Sequence, residues 1–97
     1  MEIKLFPIVG SFAENKDLAS EIRLNTIIPL LKRKKKVILN FVRVDSTTQS
    51  FVHALISDII RKFGVGILDM IFFKNCNETI KKIINIVVDY MQESIQS

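Results

Sequence analysis

The hydrophobic and polar positions along the chain follow two different periods, which together predict three strands and three helices. Short apolar runs at residues 2–9, 37–42 and 67–73 are rich in β-branched and aromatic side chains, as is typical of strands. The middle run is almost wholly apolar, so we expect a central strand that is buried on both faces. Pro7 places the first run at a sheet edge or a strand end, because proline removes a ladder donor.

Apolar residues recur at helical spacing in the remaining segments. The first predicted helix covers residues 17–31, and Pro29 should kink or break it near Thr26–Ile28 because proline removes a backbone donor. The second runs from about Gln49 to Phe63 and the third ends at about Gln92–Ser94. These segments alternate with the strands, so each helix is expected to connect or follow a strand.

The helix starts have polar residues suited to capping. Thr47 or Thr48 is placed to cap the second helix. Asn75 precedes Glu78 by three residues, which is the spacing of a capping box at the third helix.

The order β-α-β-α-β-α predicts an α/β fold with a small, mostly parallel sheet packed by helices. The chain has 97 residues, of which 48% are hydrophobic. This length suits one domain over residues 1–97, and this apolar content allows a folded core.

Positive charge is concentrated in a single run. The formal net charge is +4, and Lys32, Arg33, Lys34, Lys35 and Lys36 are five consecutive basic residues. Such a run either binds nucleic acid, phosphate or an acidic partner, or forms a solvated turn beside the negative end of a helix dipole. Both interpretations stay open from the sequence.

The remaining composition predicts a cytoplasmic protein. Cys76 is the single cysteine, so an internal disulfide cannot form, which favours a reducing compartment. No run approaches the roughly 18 apolar residues of a membrane span, and the N-terminus lacks the pattern of a signal peptide. We therefore expect no membrane association.

No residue pattern indicates catalysis. His53 is the only histidine and shares one predicted helix face with Ser50 and Ser57, whereas Asp58 points elsewhere. A nucleophile, a base and an orienting acid rarely meet on one helix face. One histidine and one cysteine are also too few for a zinc site without several carboxylates. We expect no enzyme activity, no metal and no cofactor.

The central segment resembles a known family. Val37-Ile38-Leu39-Asn40-Phe41 is followed, after a loop, by Thr48-Gln49-Ser50-Phe51-Val52-His53-Ala54-Leu55-Ile56. This is similar to the STAS-like domain family of unknown function of bacteria and phages, in which a strand of the type V-V-L-D-F leads to S-S-S-F-A-D-E-L. Residues 12–13, 21–23, 27–31 and 72–78 also resemble its pattern, so the likeness extends over roughly residues 8 to 93.

More distantly, the chain is similar to the anti-sigma factor antagonists. In those proteins the same junction carries Asp-Ser-Ser-Gly, and a GHKL-type kinase phosphorylates the first serine and thereby releases the partner. Gln49 stands at the phosphorylated position here and has no hydroxyl, while Phe51 replaces the glycine. The flanking Thr48 and Ser50 are then the candidate phosphorylation sites.

The leading functional hypothesis is a regulatory module that binds a protein partner, for which the resemblance suggests a GHKL-type ATPase. The contact residues would be Thr47, Thr48, Gln49, Ser50 and His53. The alternative is a nucleic-acid-binding accessory domain that uses Lys32–Lys36. The strand near residues 2–9 could also pair with a second copy and form a homodimer.

Overall fold

The computed structural model describes the backbone of residues 1–96 and the side chains of residues 1–93. Its elements are, in chain order, β1 (Glu2–Lys4), α1 (Phe6–Val9), β2 (Phe12–Ala13), α2 (Lys16–Ile22), a π-helical segment (Arg23–Ile27), α3 (Ile28–Lys32), β3 (Val37–Asn40), β4 (Ser46–Thr47), α4 (Gln49–Phe63), a 3-10 segment (Val65–Met70), β5 (Ile71–Lys74) and α5 (Glu78–Gln96).

The strands form two parallel sheets. The larger has the order β1-β3-β5, in which Ile3 aligns with Leu39 and Leu39 aligns with Phe73. The smaller pairs β2 with β4 and has no counterpart in the predicted elements. The fold is α/β with a small parallel sheet, as the alternation of elements predicts.

Helices cover one face of the larger sheet. Val37 and Leu39 point to that face and are fully buried among residues of α2, α4 and α5. Ile38 and Phe72 point to the opposite face, where Ile38 is half-buried and Phe72 is 44% exposed. The prediction of a central strand buried on both faces is therefore wrong, because all the long helices lie on the same side.

Proline affects local structure at two positions. Pro7 lies in the first turn of α1, where its missing N–H has no partner to lose, so the strand predicted for residues 2–9 ends at Lys4. Pro29 is preceded by the π-helical segment, in which the Ile28 N–H donates to the Arg23 carbonyl. The helix thus bulges over a segment that overlaps the predicted break near Thr26–Ile28 and begins earlier.

Two other boundaries differ from the sequence pattern. The strand predicted for residues 67–73 starts at Ile71, because residues 65–70 form the 3-10 segment. Helix α5 is capped by Asn77, whose Oδ1 accepts a hydrogen bond from the Ile80 N–H at 2.9 Å. Asn75 adopts a left-handed conformation with φ 59°, so the capping box predicted for Asn75 and Glu78 is wrong.

Candidate functional site

The N-terminus of α4 is fixed by two threonines with different roles. The Thr48 Oγ1 accepts a hydrogen bond from the Phe51 N–H at 3.1 Å and caps the helix. The Thr47 hydroxyl donates to the Ala13 carbonyl at 2.7 Å and ties β4 to β2. Thr47 is buried, so its side chain supports the fold and is not presented to a partner.

The next residues of α4 line an open groove against α5. Gln49, Ser50 and His53 are three of the five contact residues that the sequence predicts, and they share this groove with residues of α2 and α5. The groove has a volume of about 510 Å³. Its full lining is Lys16, Gln49, Ser50, His53, Ala54, Ile86, Val87 and Tyr90. We call it the α4–α5 groove.

Two apolar side chains of this groove are exposed. Ile86 is 50% exposed and Tyr90, one helical turn later, is 60% exposed. The sequence pattern does not predict their role, although both lie beside the buried stripe that includes Ile84, Val87 and Met91. Their position at the flank of an apolar stripe is the signal that could have found them.

The electrostatic character of the groove is mildly positive. Lys16 contributes a cation and α4 contributes the positive end of its dipole, while no aspartate or glutamate is among the lining residues. The groove therefore suits a partner that presents an apolar side chain next to a carboxylate or another anion.

The basic run forms the turn between α3 and β3. The Lys35 N–H donates to the Leu30 carbonyl and the Lys34 N–H to the Leu31 carbonyl, with Lys34 at φ 61°. These bonds are those of a Schellman helix end. All five side chains, Lys32, Arg33, Lys34, Lys35 and Lys36, are exposed. The run precedes β3 whereas α4 follows it, so the two candidate surfaces lie at opposite ends of the sheet.

The structure brings one aromatic ring to the basic run. The Lys36 Nζ lies 5.7 Å from the centroid of the Phe72 ring. Phe72 belongs to β5 and is far from this run in the sequence, so only the parallel pairing of β3 with β5 places the two together.

The residues considered for catalysis are not arranged as a catalytic site. Asp58 pairs with Arg23 of the π-helical segment at 3.3 Å and with Arg61 of α4 at 3.0 Å. Its carboxylate is therefore engaged by these two arginines and does not orient His53. Ser57 is buried. Within the described part of the chain, no three His, Cys, Asp or Glu side chains cluster as metal ligands would.

Cys76 lies in the turn before α5. Burial raises the pKa of its thiol above the ordinary value, and the nearby Lys81 ammonium only partly opposes this effect. The thiol is therefore less ionised at neutral pH than a free cysteine, which is the opposite of an activated nucleophile.

Asn40 organises the ends of the strands and was not identified from the sequence. Its Nδ2 donates to the Glu2 carboxylate at 3.3 Å, and its Oδ1 accepts from the Val42 N–H at 2.9 Å and from Asn75 at 3.0 Å. Lys74 also pairs with Glu2, at 3.2 Å. In the sequence, Asn40 is the one polar residue of the apolar run at residues 37–42, and this feature could have marked it as a buried hydrogen-bonding residue.

A comparison with family models now identifies the family. The family described as the STAS-like domain of unknown function matches residues 19–81. The chain belongs to this family. The resemblance inferred from the β3–α4 segment is confirmed, over a shorter range than residues 8 to 93. No curated protein and no solved structure matches the chain.

The matched residues of this STAS-like domain extend from α2 to the first turn of α5. They include the α4 wall of the groove, with Gln49, Ser50 and His53. Lys16, Ile86 and Tyr90 lie outside the matched range. The rest of the groove is therefore formed by residues that the family match does not cover. None of the helices in the described region has the length and apolar character needed to cross a membrane.

Proposed function

We propose that this STAS-like domain is a non-catalytic regulatory module that docks on a larger protein through the α4–α5 groove. The observation that carries the proposal is the exposure of Ile86 and Tyr90 beside Ser50 and His53 in one open groove. Exposed aromatic and aliphatic side chains next to polar groups are characteristic of protein interfaces.

The partner class follows from the distant likeness to anti-sigma factor antagonists. That likeness suggests a GHKL-type ATPase or kinase, in bacterial regulation or phage defence, with the domain acting in the cytoplasm. The positive character of the groove is consistent with a partner that presents a carboxylate near an apolar side chain.

Ser50 is the better of the two candidate phosphorylation sites. It is exposed in the groove, whereas the Thr48 hydroxyl is engaged in the helix cap. A phosphate on Ser50 would add almost two negative charges at the centre of the docking surface. It would therefore weaken binding to a partner that presents a carboxylate.

The proposal is tested by affinity purification of the tagged protein from its native cell, with mass spectrometry of proteins and phosphosites. The test variant combines Ser50→Glu with His53→Glu. The matched control combines Thr79→Glu with Asn85→Glu, which make the same type of change at exposed positions of α5 that line neither this groove nor any other described one. We expect the partner to be lost only with the groove variant.

Retention of the partner by the Ser50 and His53 variant would contradict the proposed docking surface. Circular dichroism and thermal melting of both variants show whether the fold is intact, so that a lost partner is attributed to the groove. Phosphate on Ser50 of the purified protein would identify a switching module, and its absence a constitutive adaptor.

One observation supports a second candidate function, nucleic-acid binding at the basic run. The exposed Phe72 ring beside Lys36 offers a stacking surface next to cations, a combination found in proteins that bind single strands. Retention of single-stranded oligonucleotides should then fall steeply with salt, because phosphate contacts release counterions. Retention that is unchanged when Lys32–Lys36 are all replaced by glutamate would contradict this candidate.

A further inference from the structure

The outer edge of β1 has free backbone hydrogen-bonding groups. The Ile38 N–H donates to the Met1 carbonyl, and the Leu5 N–H donates to the Asn40 carbonyl. Because successive residues of a strand point their N–H and C=O groups to opposite sides, Met1, Ile3 and Leu5 face β3. The N–H and C=O groups of Glu2 and Lys4 therefore point away from β3. No backbone hydrogen bond in the described part of the chain uses them outside the β1–β3 pair.

This edge is open to a second strand. A groove of about 560 Å³ runs beside β1, with β1 as one wall and the helical residues 25–33 as the other. Met1 and Ile8 line it and are 67% and 45% exposed. Both the polar edge and the apolar rim would be covered if another strand added to the sheet.

We infer that β1 pairs antiparallel with β1 of a second copy of this chain, about a two-fold axis that passes beside Ile3. In this register each Glu2 exchanges two hydrogen bonds with Lys4 of the other copy, and the two Ile3 residues form the non-hydrogen-bonded pair between them. Antiparallel ladders alternate in this way, and only the outward-facing residues are used. The result is a six-stranded sheet in which the same patch meets itself, as a two-fold interface requires.

The charges on β1 favour this particular occupant. Side chains of residues directly opposite in an antiparallel pair lie on the same face and interact. The register places the Glu2 carboxylate of each copy opposite the Lys4 ammonium of the other. Lys4 has no acidic partner within the chain among the side chains that the structure describes, so the dimer gives it one.

The dimer interface is separate from the proposed docking surface. β1 and the residues lining its groove share no residue with the α4–α5 groove. Self-association and partner docking can therefore fail or succeed independently in experiments.

The oligomeric state of the purified chain tests the inference, by sedimentation equilibrium from about 10 μM to 1 mM, a range suited to a small interface. We expect a concentration-dependent dimer. Lys4→Pro removes the outward N–H and leaves the β3 ladder untouched, so it should yield a monomer. Lys82→Glu, at an exposed position of α5, is the control for the charge variants of β1 described below, and it should associate as the wild type does. A monomeric wild type at 1 mM overturns the inference.

Mixing two charge variants tests the register itself. Lys4→Glu places glutamates opposite each other, Glu2→Lys places lysines opposite each other, and each change should weaken self-association by roughly tenfold or more. An equimolar mixture of the two restores opposite charges at both pairs, so it should associate roughly tenfold or more tightly than either variant alone. A mixture that associates no better than either variant alone overturns the antiparallel register, even if the wild type is dimeric.

Discussion

At the scale of single residues, Asn40 has the largest set of side-chain hydrogen bonds in the described region. It is 5% exposed, and it links Glu2 of β1, the Val42 backbone and Asn75. Buried amides are tolerated only when their donors and acceptors are satisfied. Asn40 thus links the Glu2 side chain of β1 to the segments that follow β3 and β5, at a position where an apolar residue would fit the sequence pattern equally well.

We expect Asn40→Ala to lower the free energy of unfolding by about 1–3 kcal/mol, since it leaves the Val42 N–H without its acceptor and Asn75 without its partner. Urea denaturation measures the change. Asn25→Ala, at an exposed position without such bonds, is the control and should change stability by less than about 0.5 kcal/mol. Equal stabilities of the two variants would contradict the role assigned to Asn40.

Cys76 should react slowly with alkylating reagents at neutral pH. Burial raises its pKa in the folded protein, so the thiolate forms at higher pH than the ordinary value of 9.0. The midpoint of the iodoacetamide rate against pH should therefore lie higher in the folded protein than in urea, because burial raises the pKa of the thiol. A folded-state midpoint below that of the unfolded chain would show an activated thiol instead.

The same shift affects stability with a definite sign. A group whose folded-state pKa is raised contributes stability that is complete below its unfolded pKa and is lost as pH rises through the folded pKa. The Cys76 contribution should therefore be constant at neutral pH and should decline only in alkaline solution. Cys76→Ala should remove this alkaline decline in stability.

At the scale of elements, the α4 start, the α5 start and the α3 end are each set by local interactions. The α4 start at Gln49 depends on the Thr48 cap, and the α5 start depends on Asn77, which also donates to the Asp45 carbonyl at 2.7 Å. Asn77 thereby joins the start of α5 to the segment before β4. The α3 end depends on the left-handed Lys34.

Thr48→Ala should cost about 1 kcal/mol of stability, because the Phe51 N–H loses its acceptor at the helix start. Thr48→Ser keeps the hydroxyl and should cost much less. Thermal melts of the two variants measure the difference. If both variants melt at the same temperature, the hydroxyl does not cap α4 in solution.

The elements that the sequence did not predict are those defined by pairing. β2 and β4 have two residues each and exist because Ala13 and Thr47 meet across the chain. A run of two residues has no measurable period, so no pattern analysis of the sequence could find it. The bounds of the π-helical segment were also not predicted. Pro29 indicates that the helix is distorted, but it does not indicate at which residues the distortion begins and ends.

At the scale of the whole molecule, the one-sided arrangement of helices decides what is exposed. Leu39 faces the helices and is fully buried, whereas the adjacent Ile38 faces outward and is half-buried. Consecutive strand residues thus experience different environments, although both are large and aliphatic.

This arrangement predicts a large difference between two neighbouring substitutions. Leu39→Ala should cost about 2–5 kcal/mol, since it leaves a cavity in the core. Ile38→Ala should cost roughly 1 kcal/mol, because its side chain is partly exposed to water and its removal leaves no enclosed cavity. Urea denaturation of both variants makes the comparison, and similar costs would mean that a second layer covers the open face.

The candidate site was predicted in part. Gln49, Ser50 and His53 were found because the junction between β3 and α4 resembles the family pattern. Ile86 and Tyr90 were not found, since the groove is created by packing α5 against α4, and their exposure is a property of that contact. Thr47 was predicted to contact a partner, but it is buried because it pairs with Ala13 in the second sheet. The sequence pattern did not predict that sheet.

The sequence by itself determined the class of fold, the order of the main strands and helices, and the bounds of α4, because hydrophobic period and capping residues act over a few positions. It also determined the location of the basic run. Only the tertiary structure decided which face of the sheet is open, which groove completes the proposed docking surface and which edge of β1 is free. These properties depend on where distant segments meet, and a contact such as Lys36 with Phe72 leaves no periodic trace in the chain.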